Sequence, residues 1–401
     1  MNMVFLTSLY PKENEKEIRK KMRVDMNDAA NELQWNLVKG VEEQLEGRLT
    51  LVNRLPIYSW PKHYTDAFVK GFSFSHKQGA DDITPGFCNV KGLKQFFGKK
   101  PFIRETVRRC LQNDESVILA YTLHPVFLEA VKKVKKIKPS VKAYAIVADL
   151  PEFTYNPKNI VSKVFYKCSL MHLQKLLKNI DGFILLTAQM AEKMQLKVPF
   201  TVMEGIAPSR LSNVVYSKKN DQKIKLLYTG SMNSQYGICV LLDAFAKLKN
   251  PDLELHLCGL GNAEKVVKEF AEKDKRIIFY GKVSHEEVLK FQSEADILVN
   301  PRQNNEEFTK YSFPSKNLEY LSSGKPLVAY KLDGIPEEYN EFFLFPENNS
   351  PEALAAVLDK VSNMTDKERE VIGERARKFV LENKNYLVQT KKILKFILNN
   401  G

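Results

Sequence analysis

The stretch from Ile297 to Tyr330, ILVNPRQNNEEFTKYSFPSKNLEYLSSGKPLVAY, holds the densest set of residues able to do chemistry. It offers two cations (Arg302, Lys316), a carboxylate (Glu319), a phenol (Tyr311) and the hydroxyls of Ser312 and Ser315. The pattern predicts a short buried strand over 297–301, a polar loop, a helix opening near Phe313-Pro314-Ser315 and a second strand over 326–330. Proline suits the first turn of a helix, and Gly324 after Ser323 supplies a left-handed cap. A helix N-terminus presents free N–H groups and the positive end of a dipole, which favours phosphate. Lys316 adds a point charge there. Glu319 falls one turn further in, where a carboxylate can accept hydrogen bonds from the vicinal hydroxyls of a sugar. Diphosphate at the helix tip with ribose one turn back is the geometry of a nucleotide-sugar site.

Other turns sit where such a site would need them. Gly230-Ser231 ends an apolar run in LLYTGSMNSQYGICVLLDAF. A small-residue turn there lets phosphate approach the backbone, although a plain strand-to-helix turn has the same composition. Gly259 and Gly261, in Cys258-Gly259-Leu260-Gly261, read on their own as a tight turn. Val283 follows Gly281-Lys282 in a further strand-end loop, and Ser284 reads as a helix N-cap that puts His285 on the surface. In the first half, His124 and Asp149 lie just beyond two predicted strands, which makes them candidates for catalytic work; local loop contacts account for them equally well. His63, His76, Trp60, Phe72 and Phe74 fall in a long irregular region and fit either an acceptor pocket or the core. No Ser-His-Asp set, Walker loop or redox motif accompanies them.

The elements that must position these residues form two series. Apolar runs at 3–7, 49–53, 117–121, 143–148, 182–187 and 201–203 alternate with helical stretches. After the polar segment 207–222 a second set follows at 225–228, 253–257, 277–280, 297–299, 327–330 and 342–345. Continuous apolar strands separated by helices indicate parallel sheets covered on both faces. The fold class is therefore α/β, with two doubly wound Rossmann-like domains: residues 1–206, a linker at 207–222, and residues 223–384. Ligands of such sheets bind beyond the carboxyl ends of the strands, so two domains facing a central cleft would put the site between them.

At 401 residues, 44% hydrophobic and 27% charged, the chain has the make-up of a globular protein with two cores. No apolar run approaches the ~20 residues of a membrane span, and the N-terminus lacks the basic region of a signal peptide; a cytoplasmic location is expected. Five scattered cysteines without metal-ligand spacing read as reduced core thiols, and no metal is expected. The net charge of +13 calls for an anionic partner. Its densest run is Lys132–Lys138, and a second stretch interleaves Lys163, Lys167, Lys175 and Lys178 with Val164, Phe165, Leu170, Met171 and Leu173. A solvated helix face and peripheral docking on an anionic membrane surface at the inner face both account for these. Nucleic acid is not expected, since no recognisable nucleic-acid module accompanies the charge.

The segment around Glu319 resembles the donor-site signature of retaining GT-B glycosyltransferases of family 4. That signature is a Glu, seven residues, a second Glu, and an ending of small residue-Gly-x-Pro-Val. Glu319 matches the second Glu and Ser323-Gly324-Lys325-Pro326-Leu327-Val328 the ending; Tyr311 stands where the first Glu would be. The resemblance covers roughly 223–338. It implies an N-terminal acceptor domain completed by a C-terminal helix at 385–400, and a C-terminal donor domain. It also implies transfer of a sugar from a nucleotide-diphosphate donor, with retention and without a metal or other cofactor, to a saccharide or lipid-linked saccharide, as in bacterial surface polysaccharide assembly. The implied site comprises Gly230, Ser231, Gly259, Gly261, Val283, Arg302, Ser312, Phe313, Ser315, Lys316 and Glu319 for the donor, with Asp149, His124 and Tyr311 near the reacting centre. Relatives carry Gly-Arg and then Lys-Gly where this chain has Gly230-Ser231 and Tyr236-Gly237, so other groups must neutralise the diphosphate, with Arg302 and Lys316 the candidates. A catalytically silent partner subunit and a sugar-nucleotide epimerase of the same fold are the alternatives.

Overall fold

The computed structural model describes residues 1–94, 98–112, 116–154, 159–208 and 223–400. Two compact units emerge: Met1–Glu204 with Tyr386–Gly401, and Gly205–Asn385. The linker expected at 207–222 lies, from residue 209 on, outside the described residues.

In unit 1, a parallel sheet grows from β1 (Asn2–Thr7), β2 (Leu49–Asn53), β7 (Ser116–Tyr121), β8 (Lys142–Val147), β9 (Gly182–Leu185) and β10 (Phe200–Val202). The six correspond to the six predicted runs, with ends shifted by at most two residues. The region expected to be irregular also carries β3 (Phe68–Val69), β4 (Phe72–Phe74), β5 (Asp82–Thr84) and β6 (Phe87–Cys88). Strands of two or three residues are too short to show an alternating pattern. β5 joins the sheet beside β2, and β4 runs antiparallel at its edge, giving the order β10-β9-β8-β7-β1-β2-β5-β4. The chain reverses its direction of growth at β1, which has β2 on one side and β7 on the other.

Unit 2 is built on β11 (Ile224–Thr229), β12 (Leu253–Cys258), β13 (Ile277–Gly281), β14 (Ile297–Asn300), β15 (Leu327–Ala329) and β16 (Phe343–Leu344). They pair in parallel in the order β13-β12-β11-β14-β15-β16, which is the doubly wound order. Successive side chains of a strand point to opposite faces, and here both faces are covered. Leu226, Ile297, Val299 and Val328 enter one apolar cluster, while Leu227, Leu298, Leu327 and Ala329 enter the other. That explains why these strands read as unbroken apolar runs. Fully burying one such Leu contributes roughly 1.5–3 kcal/mol.

The helix Tyr386–Asn399 belongs to unit 1, although its sequence follows unit 2. Its apolar side brings Ile393 and Ile397 into the core. Gln44 on the helix Asp28–Gln44 donates to the Leu387 carbonyl at 3.0 Å and to Thr390 Oγ1 at 2.6 Å. Tyr144 of β8 donates to the Ile397 carbonyl at 3.2 Å. Among the described residues, no helix is long and apolar enough to cross a membrane.

Candidate active site

The helix of the opening segment spans Ser315–Ser322, with Pro314 as its N-cap and Gly324 just past its end at a φ of +75°. It begins three residues later than Ser312, which is extended. Pro314 has no side-chain donor or acceptor, and the helix start has no side-chain cap, so its first-turn N–H groups are left to backbone, solvent or a ligand. Three buried bonds hold this helix to the strands flanking the reversal point of unit 2. The Tyr320 hydroxyl accepts from the Thr229 N–H at 2.7 Å and donates to the Thr229 carbonyl at 3.0 Å, at the end of β11. Asn300, ending β14, donates through Nδ2 to Asn317 Oδ1 at 2.7 Å.

Glu319 lies one turn inside, half-buried, and its Oε1 accepts a hydrogen bond from Gln292 Nε2. Gln292 is fully buried on the helix His285–Glu294 and reaches Thr229 Oγ1 at 3.4 Å. Lys316 Nζ stands 3.8 Å from Glu319 Oε1, an ion-pair distance longer than a hydrogen bond. The Lys316 stem crosses the turn after β11: a Cβ on Gly230 would lie 3.6 Å from Lys316 Cε. The fold thus brings Gly230, Lys316 and Glu319 together.

Arg302, after β14, donates through Nη2 to Ser312 Oγ at 2.7 Å. Its guanidinium lies 4.6 Å from the centre of the Phe308 ring and 5.6 Å from that of Tyr236, both within cation–π range. Tyr236, read in the sequence as the loss of a cation, therefore serves as a platform for another one. Ser231 is tied into its own turn, its Oγ accepting from Asn233 Nδ2 at 2.8 Å and its carbonyl from the Tyr228 hydroxyl at 2.8 Å. Gly259 is required by packing: at φ +141°, a Cβ there would fall 1.7 Å from the Gly230 carbonyl oxygen. Gly261 abuts the backbone of Met232 in the same way, so the two strand-end turns pack directly on each other. Ser315 is exposed at the helix start, and Val283 packs half-buried against the Leu227 cluster.

Two expectations need correction here. Phe313 is a core residue, its ring 5.2 Å from that of Tyr339, so its side chain is not offered to a ligand. Cys168, expected as a core thiol, is exposed. Tyr311 closes the 3-10 turn Glu307–Tyr311, and its hydroxyl donates to Glu307 Oε1 at 3.4 Å. The sequence reading missed Glu307, which sits one turn before the missing motif Glu. It also missed Gln292, whose position inside an amphipathic helix gave no signal of its contact.

In unit 1, His124 follows β7 and caps the helix Pro125–Ile137, its Nδ1 accepting from the Val126 N–H at 3.2 Å. Burial, then the charges of Arg54 and Lys94, push its pKa down to about 3. The ring is neutral at physiological pH and Nδ1 is occupied, so His124 offers a ligand its Nε2–H as a donor, not a base. Asp149 is exposed after β8, the strand next to β7. Burial, and after it the charge of Asp149, raise the pKa of the Tyr121 phenol at the end of β7. His76 is buried between Asp82 and Glu42, and Phe74 lies in the core, so neither lines an acceptor pocket. Among the described residues, no group of three or more His, Cys, Asp or Glu side chains is placed to hold a metal ion.

Comparison of the whole chain with solved structures decides the architecture. Sucrose-phosphate synthase of Thermosynechococcus elongatus superposes with a TM-score of 0.64 at 14% identity, over 100% of this chain and 99% of the other. Anabaena HepE, solved in complex with UDP-glucose, gives 0.60 at 14% identity over 100% of both chains. The fold is GT-B. Within this GT-B chain, residues 212–379 match the family described as Glycosyl transferases group 1. A curated relative, the lipopolysaccharide 1,2-N-acetylglucosaminetransferase of Salmonella typhimurium, is 27% identical over 168 residues, covering 39% of this chain and 43% of the relative. An uncharacterized glycosyltransferase of Methanocaldococcus jannaschii is 25% identical over 214 residues, 49% of this chain and 53% of its own. The GT-B chain thus spans about half the length, or less, of the curated relatives it matches.

Proposed function

We propose that this protein is a retaining, family-4-like glycosyltransferase that moves a sugar from a nucleotide-diphosphate donor to a saccharide or lipid-linked saccharide in surface polysaccharide assembly. The observation that carries the reading is the placement of Lys316, Glu319 and the uncapped start of the helix Ser315–Ser322 at the reversal point of unit 2. Ligands of doubly wound sheets bind at such points. The group 1 match over 212–379 and the named activity of the Salmonella relative support it, as does the UDP-glucose bound to the structurally similar HepE.

Unit 2 takes the donor. Glu319 accepts the ribose hydroxyls, and Lys316, Arg302 and the helix N-terminus hold the diphosphate. The acceptor oxygen attacks the anomeric carbon on the face that the diphosphate leaves. The bond from that carbon to the phosphate oxygen breaks, the new glycosidic bond forms, and the acceptor proton passes to the departing diphosphate. Stabilising the charge that builds on the leaving group is the protein's main contribution. In this reading Lys316, Arg302 and the helix N-terminus carry that charge.

Unit 1 takes the acceptor and docks on the cytoplasmic face of an anionic membrane. The helix Ile160–Leu177 supports this: Ile160 is 80% exposed and Phe165 73%, beside Val161, Val164 and Met171. Lys163, Lys167 and Lys175 are exposed on the same helix. An apolar stripe among lysines fits an anionic bilayer surface.

The test is a thermal-shift panel of nucleotide sugars, since a ligand that binds the folded state raises apparent stability. One nucleotide sugar should raise the melting temperature together with its diphosphate. A flat panel would remove the donor reading.

A further inference from the structure

Unit 1 concentrates charge at the carboxyl end of its own reversal point. Arg54 directly follows β2, and His124 follows β7, the strands on either side of β1. The Arg54 guanidinium lies 5.0 Å, and the Lys94 ammonium 5.3 Å, from the centre of one and the same Phe87 ring. Arg54 is only 6% exposed and Lys94 is half-buried. Arg54 Nη1 donates to the Gly98 carbonyl at 2.9 Å, and Lys94 Nζ to the Ile57 carbonyl at 2.6 Å. Among the described residues, neither makes an ion pair with a carboxylate.

A guanidinium has five N–H donors and an ammonium three, so one backbone carbonyl apiece uses little of that capacity. Two like charges held on one ring, Arg54 out of water and Lys94 partly so, are costly without a counter-charge. The effect is visible in the groups themselves: burial pulls Lys94 down to about 8 and Arg54 to about 10. The third group on this side is also a donor, because His124 spends Nδ1 on its helix and keeps only Nε2–H. Three donors grouped at the place where a doubly wound sheet binds ligands are complementary to an oxyanion.

We propose that Arg54 and Lys94, beside His124, form an oxyanion subsite in unit 1 that holds a phosphoryl or carboxylate group of the acceptor. The acceptor is then an acidic or phosphate-bearing saccharide. The assignment of this ligand as acceptor rests on the glycosyltransferase reading; the subsite does not.

The experiment titrates the full chain calorimetrically with glucose 6-phosphate, glucuronate and glucose, and separately with UDP and GDP. At least one of the two acids should bind where glucose does not. Preference for glucose 6-phosphate identifies a phosphoryl source, and preference for glucuronate a carboxylate. Arg54→Gln and Lys94→Gln should each weaken that binding by about tenfold, the scale of one charge-assisted hydrogen bond, and leave nucleotide binding as it is. Should Arg54→Gln fail to fold, the half-exposed Lys94→Gln carries the test, with the fold checked by circular dichroism. Acids that bind no better than glucose, or a folded Lys94→Gln that binds them as the wild type does, overturn the proposal. Loss of UDP and GDP binding in the wild type would defeat the donor reading alone.

Discussion

The carboxylate of Glu319 accepts a hydrogen bond from the amide of Gln292, a fully buried residue 27 positions earlier. The bond fixes one oxygen of the carboxylate and leaves the other for a ligand. Glu319→Gln should weaken nucleotide binding about tenfold, since hydrogen bonds to charged groups contribute roughly 1.5–3 kcal/mol. Gln292→Leu, which touches no ligand, should weaken it less. The double variant should lose less than the sum of the two, because Gln292 acts through Glu319. Calorimetric titration of all three checks this; strict additivity would show that Gln292 does not position Glu319.

Lys316 lies in the first turn of the helix and Arg302 bonds Ser312 just before it, and their contribution should be specific to phosphate. Lys316→Ala should narrow the preference for a nucleoside diphosphate over the bare nucleoside by about tenfold, with little change in melting temperature. Tyr236→Ala should act in the same direction by freeing the Arg302 guanidinium from one of its two rings. Competition binding with nucleoside and nucleoside diphosphate reads both. Equal affinity of the wild type for the two ligands would mean that there is no phosphate subsite.

His76 gives the fold a pH dependence. Burial opposes its charge, but hydrogen bonds and charge from Asp82 at 2.6 Å and Glu42 at 3.0 Å outweigh it, so its pKa is raised. Lys77 also pairs with Glu42 at this place. A raised folded-state pKa means that the protonated ring stabilises the fold. That contribution is complete below the unfolded value of about 6.5 and is lost as pH rises through the folded value. Denaturant unfolding should therefore show stability falling from about pH 6.5 upward through this window, and His76→Gln should flatten the decline. A decline of unchanged slope in the variant would assign it to other groups.

Membrane docking should have an apolar as well as an electrostatic component. The sequence pointed to lysines interleaved with apolar residues; the structure shows Val164 and Phe165 exposed and adds the exposed Ile160 and Val161. The protein should sediment with anionic vesicles and be partly released by salt, since each lysine near such a surface contributes about 1 kcal/mol, screened within a Debye length. Phe165→Ser together with Ile160→Ser should lower binding even in low salt. Vesicle binding that the pair leaves untouched would exclude this helix as the docking face.

Much of this site is legible in the sequence, for physical reasons that can be named. The strands of unit 2 are buried on both faces and so read as apolar runs, and Gly324 and Pro314 punctuate the helix that carries Glu319. What the sequence hides is contact between distant residues. Nothing in HEEVLKFQSE announces that Gln292 meets Glu319, and nothing in Arg54 and Lys94 announces a shared ring. The short strands between β2 and β7 escape notice because two or three residues show no period. Phe313 misleads because its place beside functional residues in sequence conceals a side chain turned into the core.

The central claim is sugar transfer with retention from a nucleotide donor, and its most direct measurement needs no acceptor. The purified full chain would be incubated with the α-linked nucleotide sugar selected by the thermal-shift panel, and the first sugar released to water followed by proton NMR before it mutarotates. The account predicts that the α anomer appears first and that Glu319→Gln slows its release. A β anomer appearing first would contradict the retaining mechanism, and an intact donor after prolonged incubation would contradict the enzyme itself.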